Sequence, residues 1–378
     1  ARHPMNEKQA SLAEEHAGRG APLKLWCGTW NMHAAIVGAQ LEASQLTHWI
    51  ASGHDVYCVA TQEAERSIIK SVLCSAKPRW EATLLSFFEI HGHEDDEYAL
   101  VATQDLGAVN VALIVRRELL RHLSRVQTAK VCAGHFGGLL NNKGAAAIAC
   151  HIGKGSFLFV SAHLAPHAKA VRCRDWQFEM IDRNLHAYLM ARPSWLPPGL
   201  WCVCQAPIDG PTVSARFNRV FFMGDLNYRV DLGKDEVQRL TMPTAEDLAR
   251  SGCSSRAEYD RAALKRLLSA DQQTQRRTAP TRAGFSEAAI QFWPTYKFDR
   301  KSGYSKYKLQ HRNRLKATLR LPSWTDRVLF RSAESGAIAP LSYDACTAAT
   351  LRVSDHRPVS ATFLVQVSML ATHATSVA

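Results

Sequence analysis

The feature that most constrains the fold is a succession of short apolar or alternating segments that runs through most of the chain. They are 23–30, 55–60, 80–88, 98–103, 108–116, 125–133, 143–151, 156–164, 220–223, 323–330, 339–347 and 357–365. Segments of this length and pattern predict β-strands. Only two helices, at 39–51 and 64–75, are predicted before 98. This order favours a mixed or antiparallel β-sandwich with helices outside over a doubly wound parallel sheet.

Two longer polar stretches predict helices. Residues 168–190 carry apolar side chains at helical spacing, among them Phe178, Ile181 and Leu185, and residues 246–268 are expected to be mostly helical. We therefore expect an α/β fold in which a two-layer β-sandwich is flanked by helices. A length of 378 residues is compatible with one such unit.

The domain limits follow from composition. Residues 1–22 and 367–378 are expected to be flexible tails around one domain at 23–366. Residues 192–217 contain five prolines together with Trp195 and Trp201. Proline removes backbone donors and interrupts helices, so this stretch predicts a loop insertion. Its tryptophans are expected to pack on the body of the domain, with contact to a membrane surface as the alternative.

Composition excludes several classes of protein. A hydrophobic content of 46% with 21% charged residues excludes a largely disordered chain. The apolar runs are shorter than the ~18 residues that a membrane span needs. Ten cysteines are too sparse for a disulfide scaffold. We expect Cys27, Cys58, Cys132 and Cys150 to be free thiols, and with no visible signal peptide the sequence predicts a cytosolic protein.

The charge is strongly positive and unevenly distributed. The net charge is +12, and residues 297–320 contain nine basic side chains and one acid, Asp299. This surplus predicts a polyanionic partner, which could be nucleic acid, an anionic membrane or a phosphorylated small molecule.

Polar residues stand where several predicted strands end or begin. They are Asn31, Glu63, His163, Asp225, Asn227, Asp355 and His356. Functional side chains are best held on loops that a rigid scaffold positions. One polar residue at a strand end means little, but this combination of Asn, Glu, Asp and His is typical of a metal-assisted hydrolase that acts on phosphate.

Individual positions have simpler explanations as well. Asp225 and Asn227 lie two apart and point to the same side of an extended segment, but a Gly-Asp pair such as Gly224–Asp225 is also common in turns. Glu63 offers a hard oxygen ligand for Mg²⁺, although an isolated glutamate is usually solvated. His356 could stabilise a phosphoryl oxygen if a carboxylate orients its ring, and spacing leaves both Asp326 and Asp355 open for that role.

Eight motifs in order carry a family resemblance. They are GTWN (28–31), TQE (61–63), NNKGA (141–145), SAHLAPH (161–167), GDLNYR (224–229), PTYKFD (294–299), PSWTDRVLF (322–330) and SDHRP (354–358). Together they resemble the catalytic domain of inositol polyphosphate 5-phosphatases, over about residues 23–366. That family belongs to the deoxyribonuclease-like exonuclease–endonuclease–phosphatase superfamily, so the resemblance implies a four-layer α/β/β/α fold.

The resemblance implies a role for each motif residue in a Mg²⁺-dependent, single-step attack of water on a 5-phosphate. Glu63 would bind Mg²⁺ with Asn31 close by. Asp225 would act as base or orient the water, and Asn227 would hold a phosphoryl oxygen. His163 would hydrogen-bond the scissile phosphate. His356, oriented by Asp326 and supported by Asp355, would stabilise the transition state. No cysteine nucleophile is required.

The same resemblance implies the substrate contacts. Tyr296, Lys297 and Arg320 match positions that contact the neighbouring 4-phosphate. Lys143 is expected to contact phosphate at the rim of the site, and the motif residues Asn142 and Arg229 are also expected to bind substrate. Thr318 departs from the family pattern, which usually has Lys there, and this bears on 4-phosphate recognition. The expected partners are phosphoinositide lipids or soluble inositol polyphosphates and an anionic membrane surface bound peripherally from the cytoplasm, without nucleic acid.

Two other functions are compatible with parts of the pattern. An endonuclease on the same fold would use Asn31, Glu63, Asp225, Asn227 and His356 equally well, but PTYKFD and PSWTDR favour the lipid-phosphatase branch. A catalytically inactive phosphoinositide-binding module is disfavoured because every expected catalytic position is filled.

Overall fold

The computed structural model describes residues 21–35, 41–64, 77–91, 97–133, 143–190, 212–275, 277–299, 306–313 and 316–369. Two six-stranded sheets pack face to face, and a two-stranded hairpin stands apart from them. The first sheet has the order β13-β14-β1-β2-β4-β3. Its strands are β1 (Leu23–Asn31), β2 (Val56–Gln62), β3 (Tyr98–Leu106), β4 (Val109–Arg116), β13 (Ile338–Ala345) and β14 (Val359–Val365).

The second sheet has the order β5-β6-β7-β8-β12-β9. Its strands are β5 (Leu123–Cys132), β6 (Gly144–Ile152), β7 (Gly155–His163), β8 (Arg219–Asp225), β9 (Ser286–Glu287) and β12 (Asp326–Ser332). The hairpin pairs β10 (Gln310–Asn313) with β11 (Lys316–Leu319). The α/β sandwich expected from the many short strands is therefore confirmed.

Helices cover the outer faces of both sheets or lie beside them. They are α1 (Lys77–His91), α2 (Val171–Met190), α3 (Lys234–Thr241), α4 (Ala245–Arg250), α5 (Arg256–Leu268), α6 (Gln272–Gln275) and α7 (Ala279–Arg282). None of the helices in the described ranges is both long and apolar enough to cross a bilayer.

The core between the sheets is built from alternating inward-facing residues, as the period-two pattern requires. Phe159 stacks on Phe221 with ring centroids 5.6 Å apart, and Phe221 contacts Phe363 of the opposite sheet at 5.2 Å. Burying each such side chain contributes about 1.5–3 kcal/mol. This packing fixes the two sheets relative to each other.

Two local predictions need correction. Segment 80–88 is not a strand but part of helix α1, because Trp80, Leu84, Phe87 and Phe88 recur at helical spacing and are all buried against the first sheet. The helix expected at 39–51 is only a 3₁₀ segment at Ala43–His48 within the described residues. Segment 246–268 is mostly helical as expected, and its two helices, α4 and α5, are separated by a turn that contains Gly252, whose φ is +71°.

Other expected features lie outside the described residues or stay predictions. The helix expected at 64–75 and nearly all of the insertion expected at 192–217 lie outside the described ranges. The limits of the domain and its tails stay predictions. Cys27, Cys58 and Cys150 are free and buried as expected, but Cys132 is disulfide-bonded, which corrects its assignment as a free thiol.

Candidate active site at one edge of the sandwich

The strand ends that carry the predicted polar residues meet at one edge of the sandwich. β1 runs parallel to β2, and β7 runs parallel to β8, so the carboxyl ends of these four strands share that edge. β12 and β14 run antiparallel to β8 and β1, so their first residues lie there too. Asp225 is paired in register with both His163 and Asp326.

Gly224 is required for this arrangement. Its φ is +142°, and a Cβ placed there would lie 1.9 Å from the backbone oxygen of Ala162 on β7. The close approach of β7 to β8 thus depends on a residue without a side chain. It brings His163 and Asp225 together at the two strand ends.

Asp225 is the buried carboxylate at the centre of the cleft. Its Oδ2 accepts a hydrogen bond from Asn31 Nδ2 at 3.0 Å and lies 3.2 Å from His163 Nε2, whereas its Oδ1 has no hydrogen-bond partner. Burial acts to raise the pKa of Asp225, but the charges of His163, His356 and Lys143 outweigh it and hold the pKa far below its usual range. The carboxylate is therefore ionised with one oxygen free to accept.

His163 lies between Asp225 and Lys143. The Lys143 ammonium nitrogen also contacts His163 Nε2, so one ring proton cannot serve both neighbours. Burial lowers the pKa of Lys143 to about 8 against the opposing pull of Asp225 and Glu63. Lys143 is thus a cation at neutral pH that loses its proton in mild alkali.

His356 is held by Asp326. Its Nδ1 lies 2.9 Å from Asp326 Oδ2, while Asp355 Oδ1 is 3.9 Å from the other ring nitrogen. Thr295 and Thr325 donate to the same Asp326 oxygen at 2.7 and 2.9 Å. Burial acts to lower the pKa of His356, but the neighbouring carboxylates, Asp326 first among them, raise it to about 9. The ring is an imidazolium at neutral pH with Nε2 directed away from Asp326.

The residues present fit a divalent cation. Carboxylate oxygens of Asp225 and Asp326 lie within 4.8 Å of each other and of a ring nitrogen of His356, which as an imidazolium is not itself a ligand. Asp225 Oδ1 and Asp355 Oδ1 are buried carboxylate oxygens without hydrogen-bond partners. Glu63, predicted as the metal ligand, follows β2 in a left-handed conformation with φ +53°, and its charge acts on Lys143. These oxygen atoms suit Mg²⁺.

The predicted substrate residues form one wall of the cleft. The ring of Tyr296 lies 4.4 Å from that of His356, and the Arg229 guanidinium lies 4.6 Å from the centre of the Tyr296 ring. Lys297 pairs with Asp355. Two of the wall's cations are therefore already engaged within the protein.

Arg229 also fixes Asn227. It donates to Asn227 Oδ1 and, through Nε, to the Asn227 backbone oxygen at 3.1 Å. The Asn227 amide nitrogen donates to Leu164 O at 3.1 Å, and the residue has φ +57°. Asn227 is thus held rigidly beside Asp225.

The remaining candidates are placed as follows. Arg320, half-buried, lies with one guanidinium nitrogen 3.0 Å from His167 Nδ1. The charge of Arg320, together with those of Arg229, Arg174 and Lys143, acts with burial to lower the pKa of His167. Thr318 lies on β11 and pairs in register with His311. Asn142 lies outside the described residues.

Several supporting residues carry no clear sequence signal. Arg174 is fully buried in α2 and donates to the backbone oxygens of Ala165 and His167 at 3.1 and 2.7 Å, which fixes the loop after His163. Ser354 donates to Asn31 O at 2.6 Å and ties the loop before His356 to β1. An arginine at a polar helix position reads as surface in the sequence, so only tertiary structure identifies it.

The chain also contains a cysteine and an arginine with five residues between them, a spacing found in a different class of phosphatases. Cys346 and Arg352 stand in a Cys-x5-Arg arrangement, which in other phosphatases places a thiolate nucleophile under phosphate. Here the Cys346 thiol lies 3.1 Å from His48 O, and burial raises its pKa. A protonated thiol engaged with a carbonyl is a poor nucleophile.

Comparison with known proteins agrees with this geometry. The model of endonuclease/exonuclease/phosphatase family 2 matches residues 28–362, and the chain belongs to this family. A phosphatidylinositol polyphosphate 5-phosphatase type IV of Rattus norvegicus is 28% identical over 350 residues, which are 91% of this chain and 46% of that protein. A phosphatidylinositol 3,4,5-trisphosphate 5-phosphatase 2A of Danio rerio is 26% identical over 94% of this chain and 25% of its own length.

The chain therefore spans about half or less of these relatives. Among solved structures, the inositol polyphosphate 5-phosphatase domain of spSynaptojanin, in complex with inositol (1,4)-bisphosphate and calcium, has a TM-score of 0.63 at 23% identity. It covers 96% of this chain and 90% of its own. Cimex nitrophorin, crystallised as a ferrous NO complex, has a TM-score of 0.58 at 20% identity, over 92% of this chain and all of its own. These matches confirm the deoxyribonuclease-like fold.

Proposed function

We propose that the chain removes the 5-phosphate from phosphoinositides, such as phosphatidylinositol 4,5-bisphosphate or 3,4,5-trisphosphate, and/or from soluble inositol polyphosphates, with Mg²⁺ as cofactor. The observation that carries this proposal is the pairing of an ionised Asp225 with a protonated His356 in one cleft lined by cations. The names of the curated relatives point to the same reaction class.

In this mechanism Asp225 acts on the attacking water and His356 acts on the phosphate. Asp225 accepts a hydrogen bond from the attacking water through Oδ1, since Oδ2 is occupied by Asn31 and His163. Its depressed pKa makes it a weak base, so it orients the water more than it deprotonates it. His356 donates from Nε2 to a phosphoryl oxygen and stabilises the charge that develops there. As the water oxygen bonds to phosphorus, the bond from phosphorus to the 5-oxygen of the ring breaks, and a proton released by the water completes the leaving hydroxyl group.

Neighbouring side chains hold the phosphate in line. The second amide hydrogen of Asn227 and the His163 ring supply further donors, while Asp326 keeps His356 protonated and oriented. A bound Mg²⁺, held by Glu63 with Asn31 beside it, would offset negative charge on the phosphoryl oxygens. Asp355 supports the site through its pair with Lys297.

Substrate recognition is assigned to the cationic rim. Lys143 and Arg320 offer charge to phosphate groups, and Arg229, Tyr296, Lys297 and Asn142 complete the expected contacts. The basic segment 297–320 would attract an anionic membrane by about 1 kcal/mol per Lys or Arg near the surface. We accordingly propose a cytoplasmic protein that binds membranes peripherally, and expect its association with anionic vesicles to fall with added salt.

The test is phosphate release from a panel of inositol lipids and soluble head groups, with and without Mg²⁺, beside an abasic-site DNA substrate. We expect Mg²⁺-dependent release from 5-phosphorylated compounds and no nicking. Asp225→Asn should abolish release. Asp182→Asn is the matched control, because Asp182 is also a buried carboxylate, and its hydrogen bonds among the described residues go to Ser214, at 2.9 and 2.7 Å. Nicking of DNA without phosphate release refutes the proposal.

A further inference from the structure

His33 is a residue of the cleft to which the mechanism above gives no role. It lies two positions after the end of β1 in a left-handed conformation with φ +47°, and its backbone N–H donates to Asn31 Oδ1 at 3.0 Å. Its ring is 39% exposed. This turn places the imidazole at the mouth of the cleft, opposite Asp355.

The contact between His33 and Asp355 is close but is not a hydrogen bond. His33 Nδ1 lies 3.3 Å from Asp355 Oδ1, and that oxygen is buried without any hydrogen-bond partner. The other Asp355 oxygen is engaged by Lys297. The two atoms therefore approach each other closely without forming a hydrogen bond.

The distance between His33 Nδ1 and Asp355 Oδ1 matches the distance between two ligand atoms that bind the same metal ion. At metal–ligand distances of ~2.1 Å, neighbouring ligand atoms lie about 3.0 Å apart in an octahedral shell and about 3.4 Å apart in a tetrahedral one. The observed 3.3 Å lies between these values. The charge of Glu63, the predicted metal ligand, also acts on the His33 ring.

We propose that His33 Nδ1 and Asp355 Oδ1 are ligands of the divalent cation in the cleft, and that the imidazole allows this site to bind borderline transition metals such as Mn²⁺ and Co²⁺. Carboxylate and carbonyl oxygens suit Mg²⁺ and Mn²⁺, whereas an imidazole nitrogen strengthens binding of the first-row transition metals. The inference deepens the proposed function, since it concerns the cation which that function uses.

The test measures metal binding without substrate. The full chain is freed of metal, titrated with Mg²⁺, Mn²⁺ and Co²⁺ in turn, and the Mn²⁺ form is analysed by pulsed electron paramagnetic resonance for nitrogen coupling. We expect nitrogen coupling in the unaltered chain and its loss in His33→Asn. The same variant should bind Mn²⁺ and Co²⁺ at least about tenfold more weakly, with Mg²⁺ affected less than about threefold.

His151→Asn is the matched control, because His151 is a half-exposed histidine on β6, near the far end of that strand from Gly144. It should leave all three affinities and the nitrogen coupling unchanged. Nitrogen coupling that persists in His33→Asn, or an equal loss of affinity for Mg²⁺ and Mn²⁺, overturns the inference. Phosphate release with Mg²⁺ by the unaltered chain would still support the proposed function in that case, so the two failures are distinguishable.

Discussion

Replacing Asp326 by Asn tests the electrostatic core of the site. The pKa of His356 is about 9 against 6.5 for an ordinary histidine, and this difference corresponds to about 3 kcal/mol in favour of the imidazolium. Asp326 is the largest of the contributions that raise it. Without that carboxylate, burial dominates, and we expect His356 to be neutral at pH 7.5.

The expected loss of activity is large because a charged donor disappears where negative charge develops. Removing one such group costs about 10²–10³ in kcat, and loss of the orienting carboxylate of a catalytic histidine costs about 10⁴. We expect Asp326→Asn to lower kcat for phosphate release by about 10³ at pH 7.5. The measurement is the pH profile of kcat from pH 5.5 to 10, with Asp182→Asn as the control.

The same substitution has a pH signature in stability. Because the folded pKa of His356 lies above its unfolded value, the stabilisation is fully present below pH 6.5 and is lost as the pH rises through about 9. Urea unfolding should show Asp326→Asn to be less stable by about 3 kcal/mol at pH 6, with the difference shrinking by pH 9.5. A kcat within threefold of the unaltered chain, or a stability difference independent of pH, refutes this reasoning.

Three further changes test other parts of the structure. Burial lowers the pKa of Lys143 to about 8, so the unaltered chain should lose this charge and show a rising KM above pH 8. Lys143→Arg keeps the charge, and the rise in KM should disappear in steady-state assays. An unchanged rise contradicts the assignment of Lys143 to substrate binding. Gly224→Ala should lower the free energy of unfolding in urea by at least about 2 kcal/mol, because the added Cβ meets Ala162 O; a stable variant would show that β7 can shift. Arg327→Met should cost about 3–5 kcal/mol, since it leaves the buried carboxylates of Asp271 and Glu287, at 2.5 and 2.8 Å, without their cation; thermal unfolding within 2 °C of the unaltered chain would refute a structural role.

The architecture could be predicted where the sequence pattern is local. Strands such as β7 and β8 appear as short apolar runs ended by polar residues, and the parallel pairing of their carboxyl ends explains why His163 and Asp225 meet. Segment 80–88 shows the limit of this reasoning. A short apolar run with aromatic residues is compatible with both the two-residue period of a strand and the 3.6-residue period of a helix. Only the burial of Trp80, Leu84 and Phe88 along one side identifies the helix.

The supporting residues of the site could not be predicted because their roles depend on contacts distant in sequence. Thr295 binds Asp326 across 31 positions, and Ser354 binds Asn31 across 323. The sequence also could not decide between Asp326 and Asp355 as the partner of His356, because the spacing of both residues is compatible with that role. In the structure, Asp326 Oδ2 lies 2.9 Å from His356 Nδ1, whereas Asp355 Oδ1 lies 3.9 Å from His356 Nε2.

The similarity to Cimex nitrophorin shows why the charges at the strand ends, and not the sandwich, must carry the functional argument. A protein with a TM-score of 0.58 to this chain was crystallised as a ferrous NO complex, so the fold by itself does not determine the chemistry at its edge. What this chain adds is a specific separation of charge. Asp225 stays ionised because cations surround it, and His356 stays protonated because carboxylates surround it. Neither state survives burial alone, since burial favours the neutral form of both groups. The cleft must therefore retain both signs of charge together, and a substitution that neutralises one of them shifts the protonation of the other.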